Sequence, residues 1–185
     1  MDYIFWIILA IIVIIIILII ALYNNLVNLK MKVKNAWAQI DTQLARRFDL
    51  IPNLIETVKG YSIHEKETLE KIIQARNSYI NSNEIEDKTK ANIELTNNLK
   101  NLFALAEAYP DLKANQNFLS LQTELSNTED KIAYSRQFYN DTVQIYNTAI
   151  LRFPSNLFAK ILGFKEIEFF ELNEKNKKEN INIKF

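Results

Sequence analysis

The chain has 185 residues, no cysteine and one histidine, a size suited to about one domain plus a tail. Disulfides, thiolate chemistry and any histidine-pair or histidine-cluster site are therefore excluded. Lys and Arg number 22 against 22 Asp and Glu, which removes the global electrostatic case for nucleic-acid binding, since that needs a basic face to neutralise phosphates. Glycine occurs only at 60 and 163, so turn-rich all-β folds and glycine-rich phosphate loops are not expected.

The first element is apolar throughout. No Asp, Glu, Lys or Arg lies between Asp2 and Lys30, and Ile4 to Leu22 is a run of 19 residues drawn from Ile, Leu, Val, Ala, Phe and Trp. At ~1.5 Å per residue it reaches roughly 28 Å, close to the ~30 Å of a bilayer's hydrocarbon core. A cleaved signal fits poorly, because the start is Met-Asp-Tyr and Ala21-Leu22-Tyr23 lacks the small-x-small pattern. Residues 1–22 are expected to form an uncleaved transmembrane anchor in the cell membrane. Lys30, Lys32 and Lys34 follow the span, and Arg46 and Arg47 come further on, whereas the leading segment holds only Asp2 and the terminal amine. The positive-inside rule then places the N-terminus outside and the body in the cytoplasm.

The body reads as helical. Leu26, Leu29, Val33, Trp37, Ile40, Leu44, Phe48, Ile51, Ile55 and Val58 are spaced on average about 3.56 residues apart, a single helical stripe. The anchor is expected to continue outward as one rod, broken near Asp49 to Pro52 by the proline and stopped at Gly60. Ser62-Ile63-His64-Glu65 matches a capping box and opens a second helix with Leu69, Ile72, Ile73, Ala75 and Tyr79 inward, ended by Asn81-Ser82-Asn83. A third helix is expected from Asp87 to Tyr109, with Leu95, Leu99, Leu102, Phe103 and Ala106 inward and Pro110-Asp111 closing it. A long fourth helix carries Phe118, Leu121, Leu125, Ile132, Tyr139, Val143, Tyr146, Ile150 and Phe153, with polar gaps at Thr128/Glu129 and Ser135/Arg136. Phe153-Pro154-Ser155 breaks it.

These elements predict an all-α fold: a transmembrane helix continuing into an elongated antiparallel up-down-up-down bundle over residues 23–153. Residues 154–172 form an amphipathic membrane-proximal segment, with Leu157, Phe158, Ile161, Leu162 and Phe164 apolar and Lys160 and Lys165 polar. Residues 173–185 are a charged tail. Pairing the first and last rods antiparallel makes facing residue numbers sum to about 178. That register brings Asp41 towards Arg136 and Arg47 towards Glu129, an ionic layer whose role is to fix register.

Motifs for chemistry are sparse. His64-Glu65 opens like a zincin helix, but no second histidine follows. Glu65, Glu67 and Glu70 read as a solvated helix face. Arg46-Arg47 suits ion pairing within the bundle or anionic headgroups, and Trp37 suits the core or a subunit interface. No phosphate loop, Ser-His-Asp set, dinucleotide site, metal site or cofactor site is present in the pattern.

Longer strings carry a resemblance. Tyr23-Asn24-Asn25-Leu26-Val27, Ala36-Trp37-Ala38-Gln39-Ile40-Asp41 and Arg46-Arg47-Phe48-Asp49-Leu50-Ile51-Pro52-Asn53-Leu54 are followed by Val58-Lys59-Gly60-Tyr61 with His64-Glu65 and by Ala75-Arg76. Tyr146-Asn147, Phe153-Pro154-Ser155-Asn156 and Gly163-Phe164 complete the set. Over Tyr23 to Glu171 the chain resembles the LemA family of bacterial membrane proteins. The resemblance implies a single-pass membrane protein with an α-helical soluble part, supplies no catalytic residue, and points to Arg47, Asp49, Pro52, Asn53 and His64 as a shared surface or as kink, cap and ion pair. The expected function is a non-enzymatic, membrane-anchored helical interaction or scaffold protein. Its expected partners are the lipid bilayer and an unidentified protein, with self-association open and no nucleic acid. Trp37, Asp41, Arg46, Arg47, Asp49, Pro52, Asn53 and His64 are the candidate interaction and structural residues. The alternative is a carboxylate-dependent hydrolase using groups such as Asp49 and Glu56, or an accessory subunit of a membrane enzyme.

Overall fold

A computed structural model describes residues 2–61 and 66–170. Among the described residues every regular element is a helix and there is no strand. The capping box at 62–65, with His64, and the charged tail lie outside them.

Helix α1 runs without interruption from Asp2 to Asp49, as a chain free of glycine and proline over that length permits. Its apolar N-terminal part is long enough to cross a membrane, and none of that stretch is covered by the rest of the protein. The break falls where the proline dictates: Leu50 separates α1 from α2 (Ile51–Lys59). Pro52 sits in the first turn of α2, where a missing N–H leaves no intrahelical bond unmade. Gly60 ends α2 with φ −70°, a right-handed conformation, so this stop does not rely on glycine's left-handed freedom.

Helices α3 (Lys66–Asn81) and α4 (Ile85–Ala106) form a helical hairpin over a three-residue connection. Leu69, Ile72, Ala75 and Tyr79 are buried as expected, but Ile73 is exposed; it stands one position round the helix from Ile72, outside the buried stripe. Helix α4 starts and stops earlier than expected. Pro110 does not close it but opens a further turn, α5 (Pro110–Lys113), because proline at a first helical position has no bond to lose. Asn115 then caps α6 (Gln116–Leu151), its Oδ1 accepting from the N–H groups of Asn117 at 2.9 Å and Phe118 at 3.1 Å. After α6 the chain turns through Pro154 into α7 (Ser155–Ile161). Gly163, at φ +75°, reverses it; this is a position that requires glycine.

The described residues divide into two compact units, one of residues 2–41 with 133–170 and one of residues 42–132. In the first, Leu26, Val33, Ala36 and Ile40 of α1 and Tyr139, Val143, Tyr146 and Ile150 of α6 are buried, and Trp37 meets the Tyr139 ring edge-on at 6.0 Å. In the second, Phe48 stacks on Tyr79 at 4.3 Å, above a core of Leu54, Val58, Ile72, Leu95, Leu102 and Phe118. Phe153, expected inside, is 76% exposed because α6 ends before it.

Candidate interaction sites

The polar centre of the second unit is Arg47. The apolar spacing of α1 puts it beside Leu44 and Phe48 on the inward face, and it is 3% exposed. Its Nη1 donates to Asn92 Oδ1 at 2.6 Å and to Thr96 Oγ1 at 2.9 Å, both from α4. The Glu129 carboxylate of α6 meets it as an ion pair, approaching off the hydrogen-bond direction. One guanidinium thus ties three helices together, and its buried charge is matched by an opposite charge and neutral acceptors. The Arg47–Glu129 pair is one of the two expected from the antiparallel register. Asn92 and Thr96 were not foreseen, although they are legible as an i, i+4 polar pair interrupting the Leu95–Leu99–Leu102 face. A groove of about 420 Å³ opens beside Arg47, between Thr96, Lys100 and Phe103 of α4 and Leu119, Thr123 and Asn127 of α6.

The neighbouring motif residues do not converge on that groove. Arg46, Asp49, Pro52 and Asn53 are exposed, as is Glu56. Thr57 Oγ1 donates to the Asn53 carbonyl at 2.8 Å, a bond local to α2. Trp37 and Asp41, both half-buried, belong to the first unit. There the Arg136 guanidinium lies 5.7 Å from the centre of the Phe170 ring.

The first unit holds an arrangement that the periodicity did not reveal. Beyond Gly163 the chain runs back in extended form along α6. Asn147 donates to the Ile167 carbonyl at 2.9 Å and accepts from the Ile167 N–H at 3.0 Å. Asn140 does the same to Phe170, at 3.2 and 2.8 Å. Tyr146 donates to the Lys165 carbonyl at 3.0 Å and Tyr139 to the Glu168 carbonyl at 3.2 Å. The spacing explains the fit. Seven residues of helix rise about 10.5 Å and three residues of extended chain about 10 Å, so residues 140 and 147 face peptide units three apart. Phe170 then stacks on Trp37 with ring centres 6.1 Å apart. Burial pushes the phenols of both tyrosines above their ordinary range, with the Glu168 charge adding to the effect at Tyr139. The pairs Tyr139/Asn140 and Tyr146/Asn147, a heptad apart, are the signal that would have found this segment.

On the side of α6 away from this packing, Tyr134, Phe138 and Ile145 are all exposed. At i, i+4 and i+11 they form one stripe along the helix.

Comparison with known proteins places these features in a family. Residues 36–185 match the model of the LemA family. Protein LemA of Metamycoplasma hominis is 31% identical over 155 residues, covering 82% of this chain and 69% of that protein. Magnetosome protein MamQ of Magnetospirillum gryphiswaldense is 36% identical over 74 residues, 40% of this chain and 27% of the relative. Magnetosome protein MamQ 2 of Paramagnetospirillum magneticum is 37% identical over 75 residues, 40% of this chain and 28% of its own length. The chain therefore spans only about a quarter of the MamQ proteins it matches.

Proposed function

Because this chain belongs to the LemA family, we propose that it is a membrane-anchored helical interaction protein, held by α1 and presenting the outer face of α6 to a protein partner. The observation that carries this reading is the exposed stripe of Tyr134, Phe138 and Ile145. Large apolar side chains aligned on one helix face are the ordinary make-up of a helix-to-helix contact, and aromatic residues are favoured anchors in such contacts. The expected partner is a second copy of the chain or another protein of the same membrane. The body lies on the cytoplasmic side in this proposal, supported by Lys30, Lys32 and Lys34 beyond the span. A cysteine introduced as Asn176→Cys is then labelled by an impermeant reagent only in broken cells, and labelling of intact cells contradicts the orientation.

The partner face is tested by a photoreactive phenylalanine analogue placed at Phe138 and, as a control, at Gln144, which is exposed on a different side of α6. Irradiation of membranes is expected to give a discrete adduct from position 138, of twice the chain's mass or joined to one other protein. Equal or absent adducts at the two positions contradict the proposal.

A further inference from the structure

Helix α7 is oriented the wrong way for a water-facing surface. It buries its smallest apolar residue, Ala159, to 2% exposure and leaves Ile161 80% exposed, with Leu157 and Leu162 also open. Leu151, the last residue of α6, and Phe153, in the turn that leads into α7, are exposed as well. Five large apolar side chains within twelve residues form a patch of the kind that marks a contact with another apolar phase. Its place in the first unit indicates which phase. Just past α7, the Phe164 ring lies 6.0 Å from the ring of Tyr23, and Lys30 Nζ lies 5.9 Å from the centre of the same ring. Tyr23 is the first residue after the apolar run Ile4–Leu22. The end of α7 is thus held beside the part of α1 between Tyr23 and Lys30, just past the apolar run. Arg152, Lys160 and Lys165, all exposed, flank the patch; long cationic side chains of this kind can lay their stems on an apolar surface and reach lipid phosphate with their charges.

We propose that α7 and the turn before it are a second membrane contact, lying in the headgroup region with Phe153, Leu157, Ile161 and Leu162 inserted and the three cations at phospholipid phosphates. The structure refines the amphipathic segment expected from the pattern. Phe158 and Phe164 are half-buried against the protein, and Leu151 and Phe153 take their place on the lipid side. This contact pins the first unit to the surface at two points, so that the stripe on α6 is held at a fixed height above the lipid.

The proposal rests on the reading of α1 as a membrane anchor, and the test separates the two. The chain has no cysteine, so single Ile161→Cys, Phe153→Cys, Ile12→Cys and Gln144→Cys variants of the full chain each carry one environment-sensitive fluorophore. They are reconstituted in phosphatidylcholine–phosphatidylglycerol vesicles containing lipids spin-labelled near the headgroup or deep in the acyl chain. Probes at 161 and 153 are expected to be quenched by roughly twofold or more by the shallow label and less by the deep one, while the probe at 144 responds to neither. The probe at 12 is quenched by the deep label. Behaviour at 161 and 153 like that at 144, with 12 still quenched, overturns this proposal alone. Loss of quenching at 12 overturns the anchor and the proposal together. Probes at 161 and 153 shielded from aqueous iodide yet untouched by lipid labels show that protein covers the patch, which also overturns it.

Discussion

Replacing Arg47 by alanine is expected to destabilise the second unit by about 3–5 kcal/mol, the range for breaking a buried ion pair by removing one partner. The substitution leaves the Glu129 carboxylate, whose Oε2 is buried, without its counter-charge and leaves Asn92 Oδ1 and Thr96 Oγ1 without this donor. Arg47→Lys is expected to recover part of the loss, because these contacts converge on one nitrogen, Nη1, and an ammonium also carries three donors, though on a more flexible stem. The double substitution Arg47→Met with Glu129→Leu removes both charges and is expected to restore most of the loss. Denaturant unfolding of the full chain in detergent, followed by circular dichroism, measures all three. A loss under about 1 kcal/mol for Arg47→Ala, comparable to an exposed ion pair, would show that Arg47 does not organise this core.

The second large effect is expected at the asparagine ladder. Asn140→Ala combined with Asn147→Ala removes four hydrogen bonds and leaves the N–H and C=O groups of Ile167 and Phe170 without these partners. At about 0.5–1.5 kcal/mol net for each of the four hydrogen bonds, the double substitution is expected to cost about 2–6 kcal/mol locally. The segment 165–170 should detach, and its amides should exchange with deuterium about 100-fold faster or more, as read by mass spectrometry. Alkaline pH acts on the same segment. Tyr139 and Tyr146 have folded pKa values raised above those of the unfolded chain, so their contribution is fully present below about pH 10 and is lost as the pH rises through the folded values. Exchange at 165–170 should rise over that range in the native chain and less steeply in a Tyr139→Phe, Tyr146→Phe variant. Unchanged protection in the asparagine double variant would mean that apolar contacts, chiefly Phe170 on Trp37, hold the segment alone.

What could be read in advance was whatever rests on periodicity and backbone chemistry. The stripe from Leu26 to Phe48 is buried at most of its positions because no glycine or proline perturbs its 3.6-residue repeat over that length, and the break at Leu50 follows from the missing N–H of Pro52. The Arg47–Glu129 contact followed from running two stripes antiparallel. Ile73, Phe153 and Pro110 depart from the expected pattern for separate reasons: Ile73 lies just off the buried stripe, Phe153 lies beyond the end of α6, and Pro110 starts a helical turn as readily as it stops one. Residues 163–170 fall in the segment expected to be amphipathic and membrane-proximal; their course along α6 is set by side chains that bond to backbone, for which the only sequence signal is the heptad-spaced Tyr139/Asn140 and Tyr146/Asn147. Of the candidate residues, Arg47 is a structural centre, Trp37 is a platform for Tyr139 and Phe170, and Arg46, Asp49, Pro52 and Asn53 are surface residues at the kink. The exposed stripe on α6 lies off the apolar repeat that marks the buried face of that helix, so the repeat does not reveal it.

One uninterrupted helix, α1, is expected to carry the chain out of the lipid and into the first unit. Spin labels placed singly from Leu18 to Ile40, with accessibility to oxygen and to a water-soluble nickel complex recorded in vesicles, test it most directly. Lipid contact on all sides is expected up to about Leu22. From there a helical repeat of protection should begin without a gap, with minima of accessibility at Leu26, Val33, Ala36 and Ile40. A stretch of high water accessibility without periodicity between Tyr23 and Met31, or nickel access throughout 18–22, would contradict it.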